Sequence, residues 1–141
     1  MAGSRPPIDG LNWRQEGEVI TLDESQGFDR KFQKELHAGI TSLILLAVLD
    51  DAEEPMYGYQ IARLLGEGQA ETRIKQGVLY PALRSLESSG LLTSIVEPSV
   101  SGPPRRYYQI TPAGVESLRR WRTIWQHTKI FVDSVVRSKK E

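Results

Sequence analysis

At 141 residues, 39% of them hydrophobic and three of them Trp, the chain suits one domain with extensions and carries enough apolar surface for a real core, which excludes a disordered protein. It has no cysteine, so disulfides, thiol catalysis and thiolate metal sites fall away together, and a reducing cytoplasm is the expected compartment. The formal net charge is zero but unevenly spread: residues 1–55 carry five Lys/Arg against eleven Asp/Glu (−6), residues 56–110 six against four (+2), and residues 111–141 seven against three (+4). Local potential therefore permits nucleic-acid contact that the total alone would argue against.

The first stretch, Met1 to Gln26, mixes Ser4, Pro6, Pro7 and Gly10 with a short β-prone run from Glu18 to Leu22. Residues 1–27 are read as an acidic N-terminal arm, either a frayed tail or a segment that packs on a partner subunit through Leu11, Trp13, Val19, Ile20 and Leu22. From Phe28 to Leu49 the apolar residues Phe32, Leu36, Ile40, Leu43 and Ala47 step by four, four, three and four, the spacing of one helical face, with Ser25 or Asp29 as candidate caps. The longest unbroken apolar run, Leu43 to Leu49, is far short of the roughly 18 residues of a membrane-spanning helix. No signal peptide is visible, and no membrane contact is expected. Asp50, Asp51, Glu53, Glu54 and Pro55 end this helix, and a second runs from Tyr57 to Leu65 before Gly66 and Gly68 stop it.

A third helix is predicted between Ile74 and Ser89, with Val78, Leu79, Ala82, Leu83 and Leu86 inward and Gln76, Tyr80, Arg84 and Ser85 opposite. Proline is tolerated in a first turn, so Pro81 places the start of the regular body near Val78 to Tyr80 and leaves Arg73, Lys75, Gln76 and Gly77 in the turn ahead of it. Two strands, Leu92 to Glu97 and Arg105 to Ile110, flank the tip PSVSGPP and read as a hairpin. Thr111 is a natural N-cap with Pro112 at the first helical position, and the last helix runs to about Arg137. Its stripe of Leu118, Trp121, Trp125, Thr128, Val132 and Val135 steps by three, four, three, four and three, the pattern of helices that pack along a seam. Ile124 and Phe131 broaden it beyond what so small a domain can cover. It is read as a dimer interface, also against the first helix of the partner subunit.

Three blocks, MYGYQI at Met56 to Ile61, GVLYPALRSLE at Gly77 to Glu87 and RRYYQITPAG at Arg105 to Gly114, stand in the order and spacing of one known family. Over roughly Leu36 to Val136 the chain resembles the PadR family of bacterial and archaeal winged-helix repressors. The resemblance implies a mainly α fold with a small β-hairpin, a winged helix-turn-helix at residues 28–110 and a long C-terminal dimerisation helix at residues 111–141. It also implies a homodimer that binds double-stranded DNA at a pseudo-palindromic operator and responds to small hydrophobic or aromatic effectors. The chain departs from the plainest family pattern in its longer leader before Phe28 and in a wing tip, SVSGPP, without Lys.

For DNA contact the candidates are Tyr57, Tyr59, Arg73, Lys75, Gln76, Tyr80, Arg84, Arg105 and Arg106. Gln76 and Arg84 can pair with adenine or guanine edges, or else are solvated surface residues. Tyr80 offers a hydroxyl to phosphate, or else packs in the core. Arg73 and Lys75 add phosphate charge, and one of Tyr57 and Tyr59 is expected on phosphate with the other packed. Strand alternation sends Arg105 and Arg106 to opposite faces, and Tyr107 and Tyr108 likewise. Leu118, Trp121, Trp125, Thr128 and Val132 form either a ligand cleft at the dimer centre or plain dimer packing. His37 and His127 lack the companions of a metal site or a triad, no phosphate loop is present, and neither a cofactor nor an enzyme is expected. A winged-helix module that joins proteins, without an operator, is the competing reading.

Overall fold

The computed structural model describes residues 22–137. Helix α1 spans Leu22–Asp51, strand β1 Met56–Tyr57, and α2 Gly58–Gly66. A single 3-10 turn at Ala70–Thr72 precedes α3, Gln76–Ser88. Strands β2, Leu92–Glu97, and β3, Arg105–Ile110, form the hairpin, and α4 closes the chain at Pro112–Val136. The two hairpin strands and the last helix coincide with their sequence expectation. The sheet has the order β1-β3-β2, all antiparallel, with Met56 opposite Tyr108 and Leu92 opposite Ile110.

Four expectations need correction. The first helix starts at Leu22, so residues 22–27 of the expected arm are helical and Ser25 and Asp29 lie inside the helix instead of capping it. Glu24 favours that earlier start, because an acid in a first turn complements the positive end of the helix dipole. The possible strand at Glu18 to Leu22 otherwise lies outside the described residues. Tyr57 is not helical: its backbone is extended and pairs with Tyr107, and it serves as the N-cap of α2, its N–H donating to Gln60 Oε1 at 3.2 Å. Pro81 sits at the sixth residue of α3 instead of in its first turn. The ring faces solvent, and the cost is the one backbone hydrogen bond that its nitrogen cannot donate to Gly77. Finally, the first turns of α4, expected to serve the dimer seam, belong in part to the core of their own chain, where Gly114, Ser117 and Leu118 are buried.

That core joins every layer. Leu45, Leu46 and Leu49 of α1 meet Ile61 of α2, Leu79, Leu83 and Leu86 of α3, Leu92 of β2, Tyr108 of β3 and Leu118 of α4, all nearly or wholly buried. The face of α1 that carries the core is Thr41, Leu45 and Leu49, spaced by four. The expected stripe of Phe32, Leu36, Ile40, Leu43 and Ala47 lies on the neighbouring face, where Phe32 and Leu36 are exposed and the others half-buried.

Where α4 begins, the chain has no slack. Gly90 ends α3 with φ +81°, a left-handed conformation that a glycine adopts without a Cβ penalty. Thr111 N–H donates to the Leu91 carbonyl at 3.1 Å, and its hydroxyl donates to the Gly90 carbonyl at 2.7 Å while accepting from Gly114 N–H at 3.0 Å. A Cβ on Gly114 would stand 2.2 Å from the Leu91 oxygen and 2.7 Å from Ile110 Cγ1. Backbone cannot yield there as a flexible side chain would. Gly114→Ala is therefore expected to cost roughly 3 kcal/mol, the upper range for overpacking, and to lower Tm by on the order of 10 °C in a thermal melt, whereas Ala113→Ser, exposed one residue earlier, leaves Tm within about 2 °C.

Candidate nucleic-acid interface

Five of the nine expected DNA-contacting residues, Tyr57, Tyr59, Tyr80, Arg105 and Arg106, line one cleft, and Arg73 and Lys75 line another pocket. Between the hairpin and the start of α2 lies a cleft of about 470 Å³ lined by Tyr57, Gly58, Tyr59, Tyr80, Arg105 and Arg106, among others. The cleft exists because α2 comes close to α3: a Cβ on Gly58 would stand 2.9 Å from Tyr80 Cε1. Tyr80 is half-buried at that approach, while Tyr59 is exposed and Tyr57 half-buried. Gln76 opens α3 at its exposed first position, after Lys75 as N-cap, and Arg84 projects from the same helix two turns on. Arg73 donates from Nε to the Gly68 carbonyl at 3.1 Å, which ties the preceding turn together.

The two hairpin arginines have different environments, as strand alternation requires. On one face Arg105 stacks over the Tyr57 ring, 4.4 Å from its centroid, and Tyr57 meets Tyr107 edge-on at 5.4 Å. On the other face, with the buried Tyr108, Arg106 Nη1 donates to Ser94 Oγ at 2.9 Å and Ser94 Oγ donates to Glu87 Oε2 at 2.6 Å. Glu87 of α3 thus anchors Arg106 of β3 through a serine of β2. Neither Glu87 nor Ser94 stands out in the sequence, since the three residues are brought together only by the fold. Among the described residues, Arg73, Lys75, Arg84, Arg105 and Arg106 make no salt bridge; the ion pairs lie elsewhere, on α1 and α4. Their charge is available to a polyanion.

The second group of expected residues divides. Leu118 is 1% exposed and belongs to the core of its own chain, so it does not face a ligand or a partner; it lies too close to the sheet end of α4. Trp121, Trp125, Thr128 and Val132 line a groove of about 570 Å³ against Leu36, Ile40 and Leu43 of α1. Trp121 packs against the core and Trp125 is partly exposed.

Helices α1 to α3 with the β2/β3 hairpin beside them form a winged helix-turn-helix, the architecture of a class of DNA-binding regulators, and Arg73 and Lys75 stand just before the third helix. The sequence model of the "Transcriptional regulator PadR-like family" matches residues 45–120. A crystal structure of a PadR family transcriptional regulator from Eggerthella lenta is similar with a TM-score of 0.67 at 30% identity, over 82% of this chain and 97% of that one. A transcriptional regulator from Clostridium thermocellum gives 0.64 at 29% identity, over 73% and 99%. The transcriptional regulator Rv3488 of Mycobacterium tuberculosis is 48% identical over 46 residues, which span 33% of this chain and 42% of that protein. The chain belongs to the PadR-like family of transcriptional regulators, whose members are regulators and not enzymes.

Tyr108 offers a check on how the hairpin is seated. Burial, aided by the nearby Glu87 carboxylate, pushes its phenol above the usual range, against the smaller opposing pull of Arg106 and Arg84. A phenol with a raised pKa keeps its proton in the folded chain at pH values where the unfolded chain has lost it. Its contribution to stability is therefore complete below the unfolded value of about 10 and falls as pH rises above it. Urea titrations at pH 9 and pH 11 are expected to show a larger loss of stability for the wild type than for Tyr108→Phe.

Proposed function

We propose that this regulator is a homodimeric repressor that reads a pseudo-palindromic operator with one α3 per half-site and leaves it when a small hydrophobic or aromatic molecule enters the α1/α4 groove. The observation that carries the reading is the apolar face that a single chain leaves open. Phe28 and Phe32 of α1 are 61% and 64% exposed, and Phe131 and Val135 of α4 are 66% and 64% exposed. Such a contiguous face on a soluble chain marks an interaction surface. A second copy supplies the matching face by two-fold symmetry, each α1 against the partner's α4. Two α3 helices then address half-sites about one helical turn, roughly 34 Å, apart.

Helix α1 is also long and apolar enough, by length and composition alone, to cross a membrane. Its Leu45, Leu46 and Leu49 are instead buried among α2, α3 and the sheet, which supports a cytoplasmic regulator without a membrane role. The interaction-module reading loses ground to the unpaired cations and tyrosines around α3 and the hairpin, which suit phosphate and base edges better than an apolar protein surface.

Sedimentation of the purified protein is expected to give a dimer, and Phe131→Glu a monomer that no longer binds DNA. In fluorescence anisotropy on the DNA upstream of its own gene, the wild type is expected to prefer that duplex to a scrambled one by a hundredfold or more. Gln76→Ala should erase part of this preference, by roughly 5- to 150-fold if its amide pairs with a base edge. Tyr80→Phe and Arg105→Ala should weaken both duplexes alike. Trp125 emission should respond to planar aromatic compounds that also release the DNA. Equal, weak binding to both duplexes would leave the interaction module as the better reading.

A further inference from the structure

Helix α1 has a third face, separate from the core and from the groove. Arg30, Gln33, Lys34 and His37 follow one another at three, one and three residues, one side of a helix. That side meets the turn before α3, and with Arg73 and Lys75 it encloses a pocket of about 440 Å³. Among the described residues, none that lines this pocket is a carboxylate. Among the described residues Arg30, Lys34, Arg73 and Lys75 make no salt bridge. Lys31, on another side of the same helix, is by contrast paired with Glu35 at 3.5 Å.

The cluster is held in place. His37 is buried, and its Nε2–H donates to the Glu71 carbonyl at 2.9 Å, fixing the 3-10 turn against α1. Ile74 N–H donates to the Leu65 carbonyl at 3.2 Å, which secures the other end of that turn to α2. The pocket also includes Gly77 and Val78 in the first turn of α3, where the positive end of the helix dipole adds to the potential. Four like charges gathered around one pocket repel one another, and an anion relieves the repulsion.

We propose that this pocket is a phosphate clamp, in which Arg30 and Lys34 of α1 join Arg73 and Lys75 to hold a backbone phosphate of the bound DNA at the edge of the groove that α3 enters. The inference rests on the DNA-binding reading above and assigns to α1 a part in it. DNA is the favoured source of the phosphate because the pocket borders the N-terminal end of α3, beside which the strand flanking an occupied major groove must pass. The clamp is blind to sequence. It sets affinity and register, while α3 sets preference.

The test compares wild type, Arg30→Gln/Lys34→Gln and Lys31→Gln, as full chains, by anisotropy on upstream and scrambled duplexes over a salt series. The double variant is expected to bind both duplexes more weakly by the same factor. Its dependence of log K on log salt should flatten by roughly 0.9 for each phosphate that the variant no longer neutralises. Tm and dimer mass should not move, since both side chains are exposed. Lys31→Gln should behave as wild type. An unchanged slope in the double variant, with wild type binding normally, overturns the clamp alone. Wild type that binds neither duplex removes the DNA reading and the clamp with it. Calorimetry with inorganic phosphate separates the remaining source: binding to wild type that is absent from the double variant, with DNA binding unaffected, overturns the clamp in favour of a free phosphorylated ligand.

Discussion

The close backbone approach of Gly114 to Leu91 fixes what the rest of the molecule can do. Because no side chain fits between them, α4 leaves the domain in one direction, set by the end of α3 and the start of β2. The direction of α4 in turn decides where the open apolar face points relative to α3. On the proposed dimeric reading, in which two α3 helices address half-sites at a fixed spacing, this angle is a functional quantity. Two side chains meeting at the same place would tolerate repacking, whereas a backbone carbonyl against a glycine does not.

Charge and apolar surface are sorted by element as a consequence. Around the hairpin and α3, Arg73, Lys75, Arg84, Arg105 and Arg106 make no salt bridge among the described residues. The Glu87 carboxylate orients Arg106 through Ser94. At the opposite end, α4 and the first half of α1 expose phenylalanines, valines and an indole. The zero net charge of the chain thus hides local concentrations of both charge and exposed apolar surface.

Much of this was legible in the sequence wherever a local rule decided the outcome. The hairpin strands lie between turn residues, and Thr111-Pro112 marks a helix start by capping chemistry alone. Strand β1 was not legible, because Met56 and Tyr57 have no periodicity over two residues and become a strand only by pairing with the edge of β3. The core face of α1 was hidden for another reason. Thr41, Leu45 and Leu49 and the neighbouring Leu36, Ile40 and Leu43 both repeat at helical spacing, and no pattern within one helix tells which set meets α3 and which meets α4. Leu118 fell in the same stripe as Trp121, yet lies one turn nearer the sheet and is sealed by it. Residues 7 and 12 apart, as in the bridge from Glu87 to Arg106 through Ser94, leave no periodic trace.

Helix α1 is where these constraints converge. Its buried residues fasten it to α3, its Leu36, Ile40 and Leu43 form one wall of the groove with Trp121 and Trp125, and its Arg30, Lys34 and His37 face the turn that precedes α3. A helix hydrogen-bonded along its length moves as a rigid body, so its faces cannot shift independently. On the proposed reading, an occupant that wedges the groove between α1 and α4 would displace the cationic face along with the apolar one. The core limits how far, since Leu45 and Leu46 are wholly buried and close packing resists a partial roll. Small displacements suffice all the same, because a charge-assisted hydrogen bond to phosphate holds over about 2.7–2.9 Å and breaks with a shift smaller than one turn of the helix. The groove and the DNA-facing surface are thus joined by one rigid element, without any intervening chain of side-chain rearrangements.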